Sequence, residues 1–153
     1  MGLDMYLNKK TYVKNWDFMK PEELHTVEVK KAGEPHPHIK PERVSYIIEN
    51  VGYWRKANHI HRWFVQNVQD GVDECQESYV DPSKMQELVD LCEKVIENPE
   101  LGPELLPTGS GFFFGSTDYD EYYIQDLQDT VNILKPLIEE SKFGGDFYYQ
   151  SSW

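Results

Sequence analysis

Between Tyr53 and Phe64 the chain runs Tyr-Trp-Arg-Lys-Ala-Asn-His-Ile-His-Arg-Trp-Phe. This one segment holds two tryptophans, three cations, two histidines and an asparagine. An indole plane stacks on a nucleobase, arginine and lysine meet phosphate, and asparagine and histidine hydrogen-bond a base edge or a ribose. The chemistry on offer is recognition of a nucleotide-like ligand. A helix over residues 52–68, advancing about 100° per residue, sorts these groups. Ala57, Ile60, Phe64 and Val68 then fall within about 60° of Tyr53 and form a core stripe. Trp54, Asn58 and His61 share one flank, which is the predicted ligand face. Arg55, His59, Arg62 and Gln66 point outward, with Lys56 on the opposite flank. His59 and His61, two positions apart, diverge by about 200° and cannot hold one metal ion.

A second group of polar residues lies at 109–123. Gly109, Gly111 and Gly115 precede a helix, as phosphate-binding loops do. The segment lacks the lysine of a Walker loop, and Asp118, Asp120 and Glu121 would repel phosphate while suiting a helix N-terminus. Tyr119 and Tyr122 join the predicted binding residues. Phe112, Phe113 and Phe114 cannot all face one core from a strand. Asp120 or Glu121 with His61 would supply an acid and a base for a small hydrolase. No Gly-x-Ser-x-Gly, His-Glu-x-x-His or Cys–His arrangement supports catalysis, so binding is favoured and no catalytic residue is assigned. His36-Pro37-His38 has no accompanying ligands, and Cys75 and Cys92 are too few for a zinc site. No metal or cofactor is expected.

The elements that must position these residues are strands at the two ends and helices between. Leu3, Met5 and Leu7 alternate with polar neighbours, as in a half-buried strand. Further strands are expected at 26–31, 75–80 and 147–149. Pro41 can open a short helix to about residue 50. Asp81-Pro82 is a capped helix start, followed by an apolar stripe of Met85, Leu88, Val89, Cys92 and Ile96. A long helix runs from 117 or 118 to 141 with a stripe of Tyr123, Leu127, Val131, Leu134 and Ile138. The expected fold is α+β. A small antiparallel or mixed sheet of N- and C-terminal strands packs against three to four helices, in a single domain spanning 1–153. The first and last strands are expected to pair in the sheet centre.

Charge narrows the partners. The net charge is −12, but residues 1–65 carry 11 Lys/Arg against 8 Asp/Glu, while residues 66–153 carry 4 against 19. Long nucleic acid needs a basic stripe and is excluded as a partner. A small anion needs only two or three cations. Ten tyrosines exceed what a core of this size uses and favour a contact surface. No run of about 18 apolar residues is present, so no membrane partner is expected. The start lacks the apolar segment of a secretory leader, and a cytoplasmic protein is expected.

Met1-Gly2-Leu3-Asp4-Met5-Tyr6-Leu7, Tyr53-Trp54-Arg55-Lys56-Ala57-Asn58, Gly111-Phe112-Phe113-Phe114-Gly115 with Tyr119-Asp120-Glu121-Tyr122-Tyr123, and Ser151-Ser152-Trp153 are spread along the chain. Together they resemble a group of small tailed-bacteriophage and prophage proteins without an assigned activity. The resemblance implies a protein of the host cytoplasm that acts on host defence. One expectation is a non-enzymatic sponge that sequesters an immune signalling nucleotide, with a homo-oligomer sharing its sites. The alternative is a protein–protein inhibitor that covers a host defence enzyme with an acidic, tyrosine-rich surface.

Overall fold

The computed structural model describes residues 2–111 and 114–153. In chain order the elements are β1 (Asp4–Tyr12), β2 (Lys30–Lys31), β3 (Glu34–Pro35), β4 (Tyr46–Arg55), α1 (Asn58–Asn67), β5 (Ser78–Val80), α2 (Pro82–Glu97), α3 (Gly102–Leu105), α4 (Glu121–Glu140) and β6 (Asp146–Ser152). The main sheet has the order β4-β1-β6-β5, and every pairing in it is antiparallel. This is the expected α+β arrangement, and β1 and β6 are its two central strands.

Alternation explains the sheet. Leu3, Met5, Leu7, Trp54, Phe147 and Tyr149 are buried on one face, while Tyr6, Tyr53, Tyr148 and Gln150 are half-buried or exposed on the other. The helices cover the buried face. Asp81 caps α2 by accepting from the Ser83 amide, and Met85, Leu88, Val89, Cys92 and Val95 are buried along it. Asp120 caps α4 by accepting from the Tyr122 and Tyr123 amides. The buried stripe of α4 is Tyr123, Leu127, Thr130, Leu134 and Leu137, rotated from the expected one.

Two expectations are corrected. The helix expected over 41–50 is only a 3-10 turn at Pro41–Arg43, and the strand β4 replaces the rest of it together with the start of the helix expected over 52–68. Tyr46, Ile47, Ile48, Val51 and Tyr53 are β-branched or aromatic and favour extended backbone. The long strand β1 needs a partner on its outer side, and β4 provides it from Arg55 to Tyr46. The pairing shifts register between Leu7 and Asn8, where Val51 is the extra residue. Lys56 then turns the chain with φ 56°, and α1 begins at Asn58. The strand expected at 26–31 shortens to β2, which pairs only with β3 across Ala32-Gly33 and stays apart from the main sheet.

Gly52 lets α4 approach β4. A methyl group there would stand 2.8 Å from Ile133 Cγ2 and 3.3 Å from Leu7 Cβ. Gly52→Ala is expected to cost about 1–3 kcal/mol through overpacking. Urea denaturation checks this, and an unchanged midpoint would refute the close approach. The extended aromatic segment expected at 112–114 falls partly on Phe112 and Phe113, which lie outside the described residues. Among the described residues, no helix is long and apolar enough to cross a membrane.

Candidate functional site

The eight residues singled out from the sequence do not form one surface. Trp54 is on β4, not α1, so it does not share a helix flank with Asn58 and His61. Its indole is 4% exposed. Its Nε1 donates to Thr130 Oγ1 at 2.9 Å, and its ring meets Phe64 edge-on. Asn58 is 1% exposed. Its Nδ2 donates to the carbonyls of Phe114 at 3.0 Å and Ser116 at 2.7 Å, and its Oδ1 accepts from the Gly109 amide at 3.0 Å. These bonds pin the segment before α4 onto α1.

His61 is also interior. Its Nδ1 lies 2.7 Å from the Tyr149 hydroxyl and its Nε2 lies 3.0 Å from Asp73 Oδ1. Trp153 Nε1 donates to the same Asp73 oxygen, which fastens the last residue to the loop after α1. An Asp–His–hydroxyl chain has the look of a catalytic relay. Here the Tyr149 ring is wholly buried and stacked on Phe64 at 3.9 Å, so its oxygen is closed to substrate. The expected partnership of His61 with Asp120 or Glu121 does not form. Both His61 nitrogens are engaged by Asp73 and Tyr149, and the Asp120 carboxylate caps α4.

Arg62 is exposed beside Gly109. The Tyr119 hydroxyl accepts from the Thr108 amide at 3.0 Å. Arg55, Lys56 and Tyr122 do come together. They line a cavity of about 300 Å³ between the end of β4, the start of α1 and the start of α4. Gly115 closes one side. It has φ +86°, and a methyl group there would approach the Lys56 carbonyl at 3.2 Å. Arg55 reaches the rim while pairing with Asp4 at 3.1 Å, and Tyr53 donates to the same carboxylate oxygen. Tyr122 is 72% exposed at the mouth.

The floor of this cavity carries the pair that sequence reasoning missed. His59 is 3% exposed, and its ring lies 4.2 Å from that of Tyr123. Its Nε2 has no hydrogen-bond partner within the chain and stands 3.8 Å from Asp126 Oδ2. That separation is too long for a hydrogen bond. Burial pushes His59 down to about 4, partly offset by the nearby Tyr123 main chain. Burial pushes Asp126 up to about 7, and repulsion from Asp129 and Asp120 adds to it. Burial of both partners favours the neutral pair, with the proton on Asp126, over an ion pair.

Comparison with protein-family models, with curated proteins and with solved structures finds no match. Another hollow of about 310 Å³ lies among Val13, His25, Pro41 and Val44. None of the unpartnered buried side-chain atoms lines it; among the described residues these belong to His59, Gln69 and Ser151. No three His, Cys, Asp or Glu side chains among the described residues gather as metal ligands. The Cys92 thiol is buried and pushed up to about 12, which makes it unreactive.

A signal for the missed pair was present on α4. Asp126 and Thr130 lie three and seven positions after Tyr123, within about 60° of it on a helix. Two polar residues on an apolar stripe mark a place where the core meets a polar partner.

Proposed function

We propose that the protein is a non-enzymatic binder of a nucleotide-like small molecule, held in the cavity between β4, α1 and α4. The observation that carries this reading is the unpartnered, buried Nε2 of His59 on the floor of a cavity whose rim bears Arg55 and Lys56. A buried polar atom without a partner costs about 1–3 kcal/mol, which a hydrogen-bonding ligand recovers. Arg55 and Lys56 suit phosphate oxygens at the rim, while the Asp118 and Asp120 carboxylates that also line the cavity disfavour an anion beside them, and the Tyr122 ring offers a face for stacking. His59 and Asp126 stand side by side rather than on opposite walls, which favours recognition over acid–base turnover. In the setting implied by the sequence resemblance, such a protein would be a phage-encoded sponge for an immune signalling nucleotide in the host cytoplasm. A homo-oligomer would present several such cavities.

Isothermal titration calorimetry against linear mononucleotides, dinucleotides and cyclic dinucleotides tests the reading. At least one is expected to bind at micromolar concentration without being consumed. Lys56→Ala is expected to weaken it about tenfold, the effect of losing one charged hydrogen bond of roughly 1.5 kcal/mol. Absence of heat across the panel would reject nucleotide binding. That result would favour the protein–protein inhibitor. The observation behind this second reading is the exposure of Tyr12, Trp16, Phe18, Tyr46, Ile47 and Ile48 around the outer ends of β1 and β4. Further exposed rings stand on the acidic half of the chain, at Tyr79, Tyr119, Tyr122, Phe143 and Trp153.

A further inference from the structure

We propose that the sheet face left uncovered by the helices is where a second copy of this chain docks, face to face about a two-fold axis. Apart from Arg55, which also reaches the cavity rim, this surface is separate from the nucleotide cavity, and the two proposals fail independently.

The strand pairings decide which side chains share this face. Tyr53 on β4 stands opposite Tyr6 on β1, Tyr46 opposite Tyr12, and Tyr79 on β5 opposite Tyr148 on β6. Asn8 stands between Asn50 and Tyr148, and Lys10 between Ile48 and Asp146, so these rows belong to one face. The rings meet in pairs, with centroids 5.5 Å apart for Tyr6–Tyr53, 5.1 Å for Tyr12–Tyr46 and 5.9 Å for Tyr79–Tyr148. Six of the ten tyrosines thus lie on this face. An antiparallel sheet that meets only water alternates buried apolar residues with polar ones. Here the outward positions are largely aromatic. Tyr12, Tyr46, Tyr53 and Tyr79 keep between 42% and 53% of their exposure, and Ile48 keeps 60%.

Charge selects the occupant. Arg55 pairs with Asp4 at 3.1 Å and Lys10 with Glu77 at 2.8 Å. Both cations of these rows are neutralised within the face. A single-stranded nucleic acid could stack on the rings but would find its phosphates unpaired and repelled by a chain of net charge −12. A second copy brings the same groups. Tyrosine hydroxyls and the amides of Asn8, Asn50 and Gln150 both donate and accept, so the face is complementary to itself, as a two-fold interface requires. Its size agrees. Strands about 4.8 Å apart, rising about 3.4 Å per residue, give a projected area of roughly 500 Å². The relief of the side chains raises the accessible area toward the ~800 Å² that each partner gives to a stable interface. Sheets stack about 10 Å apart, a gap that two layers of interleaved tyrosine rings fill.

Sedimentation velocity of the intact protein tests this. At about 50 µM a species of twice the monomer mass is expected. Its dissociation constant is expected to fall as sodium chloride rises from about 50 to about 500 mM, because salt screens the repulsion between two acidic copies. Ile48→Lys with Tyr79→Lys is expected to raise that constant at least about a hundredfold. Lysine lowers the overall repulsion, so the weakening reports the face itself. Tyr46→Lys provides an independent variant at the far end of the face. Phe143→Lys, at a more exposed ring beyond α4, is expected to leave the constant within about twofold. Urea midpoints of the variants verify that each is folded. A protein that stays monomeric at every salt concentration would overturn the proposal, whether it then binds a labelled oligothymidylate or a different protein on the tyrosines. A dimer that persists undiminished in the folded face variants would also overturn it, because the contact would lie elsewhere. So would a dimer that loosens as salt rises, since ion pairs between copies would then hold it.

Discussion

Asn58→Ala is expected to lower the unfolding free energy by roughly 3 kcal/mol, although the alanine takes up less space and is a better helix former. The Asn58 amide satisfies three main-chain groups at once, the carbonyls of Phe114 and Ser116 and the amide of Gly109. Alanine removes the whole partner and leaves all three to be rehydrated or strained. At about 1 kcal/mol for each net hydrogen bond, the loss is near 3 kcal/mol. Asn58→Asp is expected to be worse. A carboxylate keeps the acceptor for Gly109 but faces two carbonyl oxygens where the amide donated. Urea denaturation with a fluorescence readout measures both variants. A loss below about 0.5 kcal/mol for Asn58→Ala would mean that the segment before α4 is not held by this side chain. The same variant tests the cavity, because the pinned segment carries Gly115 and Ser116 of its wall. Ligand affinity is expected to fall together with stability, unlike in Lys56→Ala, which leaves the fold intact.

Asn58 also shows what the sequence could convey and what it could not. Its oddity was legible. A polar amide amid apolar neighbours must have partners, and the only question was whether they are a ligand or the chain. That choice depends on the location of residues 109–116, more than fifty positions away, which local periodicity does not reach. Trp54 and His61 follow the same logic, with partners at Thr130, Tyr149 and Asp73. The strand β1, the capped helix α2 and the capped helix α4 were legible because alternation, Asp-Pro and a first-turn acid act locally.

The strand β4 was not legible. Its run from Tyr46 to Arg55 is extended because β1 requires a partner, which is a tertiary demand. A helical wheel places His59 outward because it assumes one buried face, whereas α1 is buried at Asn58, His59, Ile60, His61, Trp63, Phe64 and Val65, on more than one side. Lys56, with its positive φ, sits at the boundary between β4 and α1. Positive φ in a lysine is uncommon and leaves no mark on hydrophobic periodicity.

The pair on the cavity floor leads to the second large prediction, a dependence of stability on pH that appears only when the pair is broken. In the folded protein His59 lies at about 4 and Asp126 at about 7, against ordinary values of 6.5 and 3.8. Between about pH 4 and pH 6.5 the folded pair holds one proton, on Asp126. The unfolded chain also holds one, on the histidine. Proton uptake is equal in the two states, so the intact pair contributes almost no slope in this range. Folding simply moves the proton from imidazole to carboxyl.

Burial is the first cause of each shift, so each survives removal of the other residue. In Asp126→Asn the unfolded His59 takes up a proton below pH 6.5 that the folded residue refuses until about pH 4. Stability relative to wild type is therefore expected to fall by roughly 3 kcal/mol as the pH drops across this window, at about 1.4 kcal/mol for each pKa unit. His59→Gln leaves a carboxyl that ionises more readily in the unfolded chain. Its stability is expected to fall as the pH rises from about 4 to about 7. The Asp126 side chain keeps 31% of its exposure, so solvent screening makes this second change smaller than the first. Urea unfolding of the three proteins at pH 4.5, 5.5, 6.5 and 7.5 resolves the two opposite slopes, with ~0.5 kcal/mol as the precision needed to separate them. Curves that run parallel to wild type in both variants would show that neither group is desolvated in the folded protein.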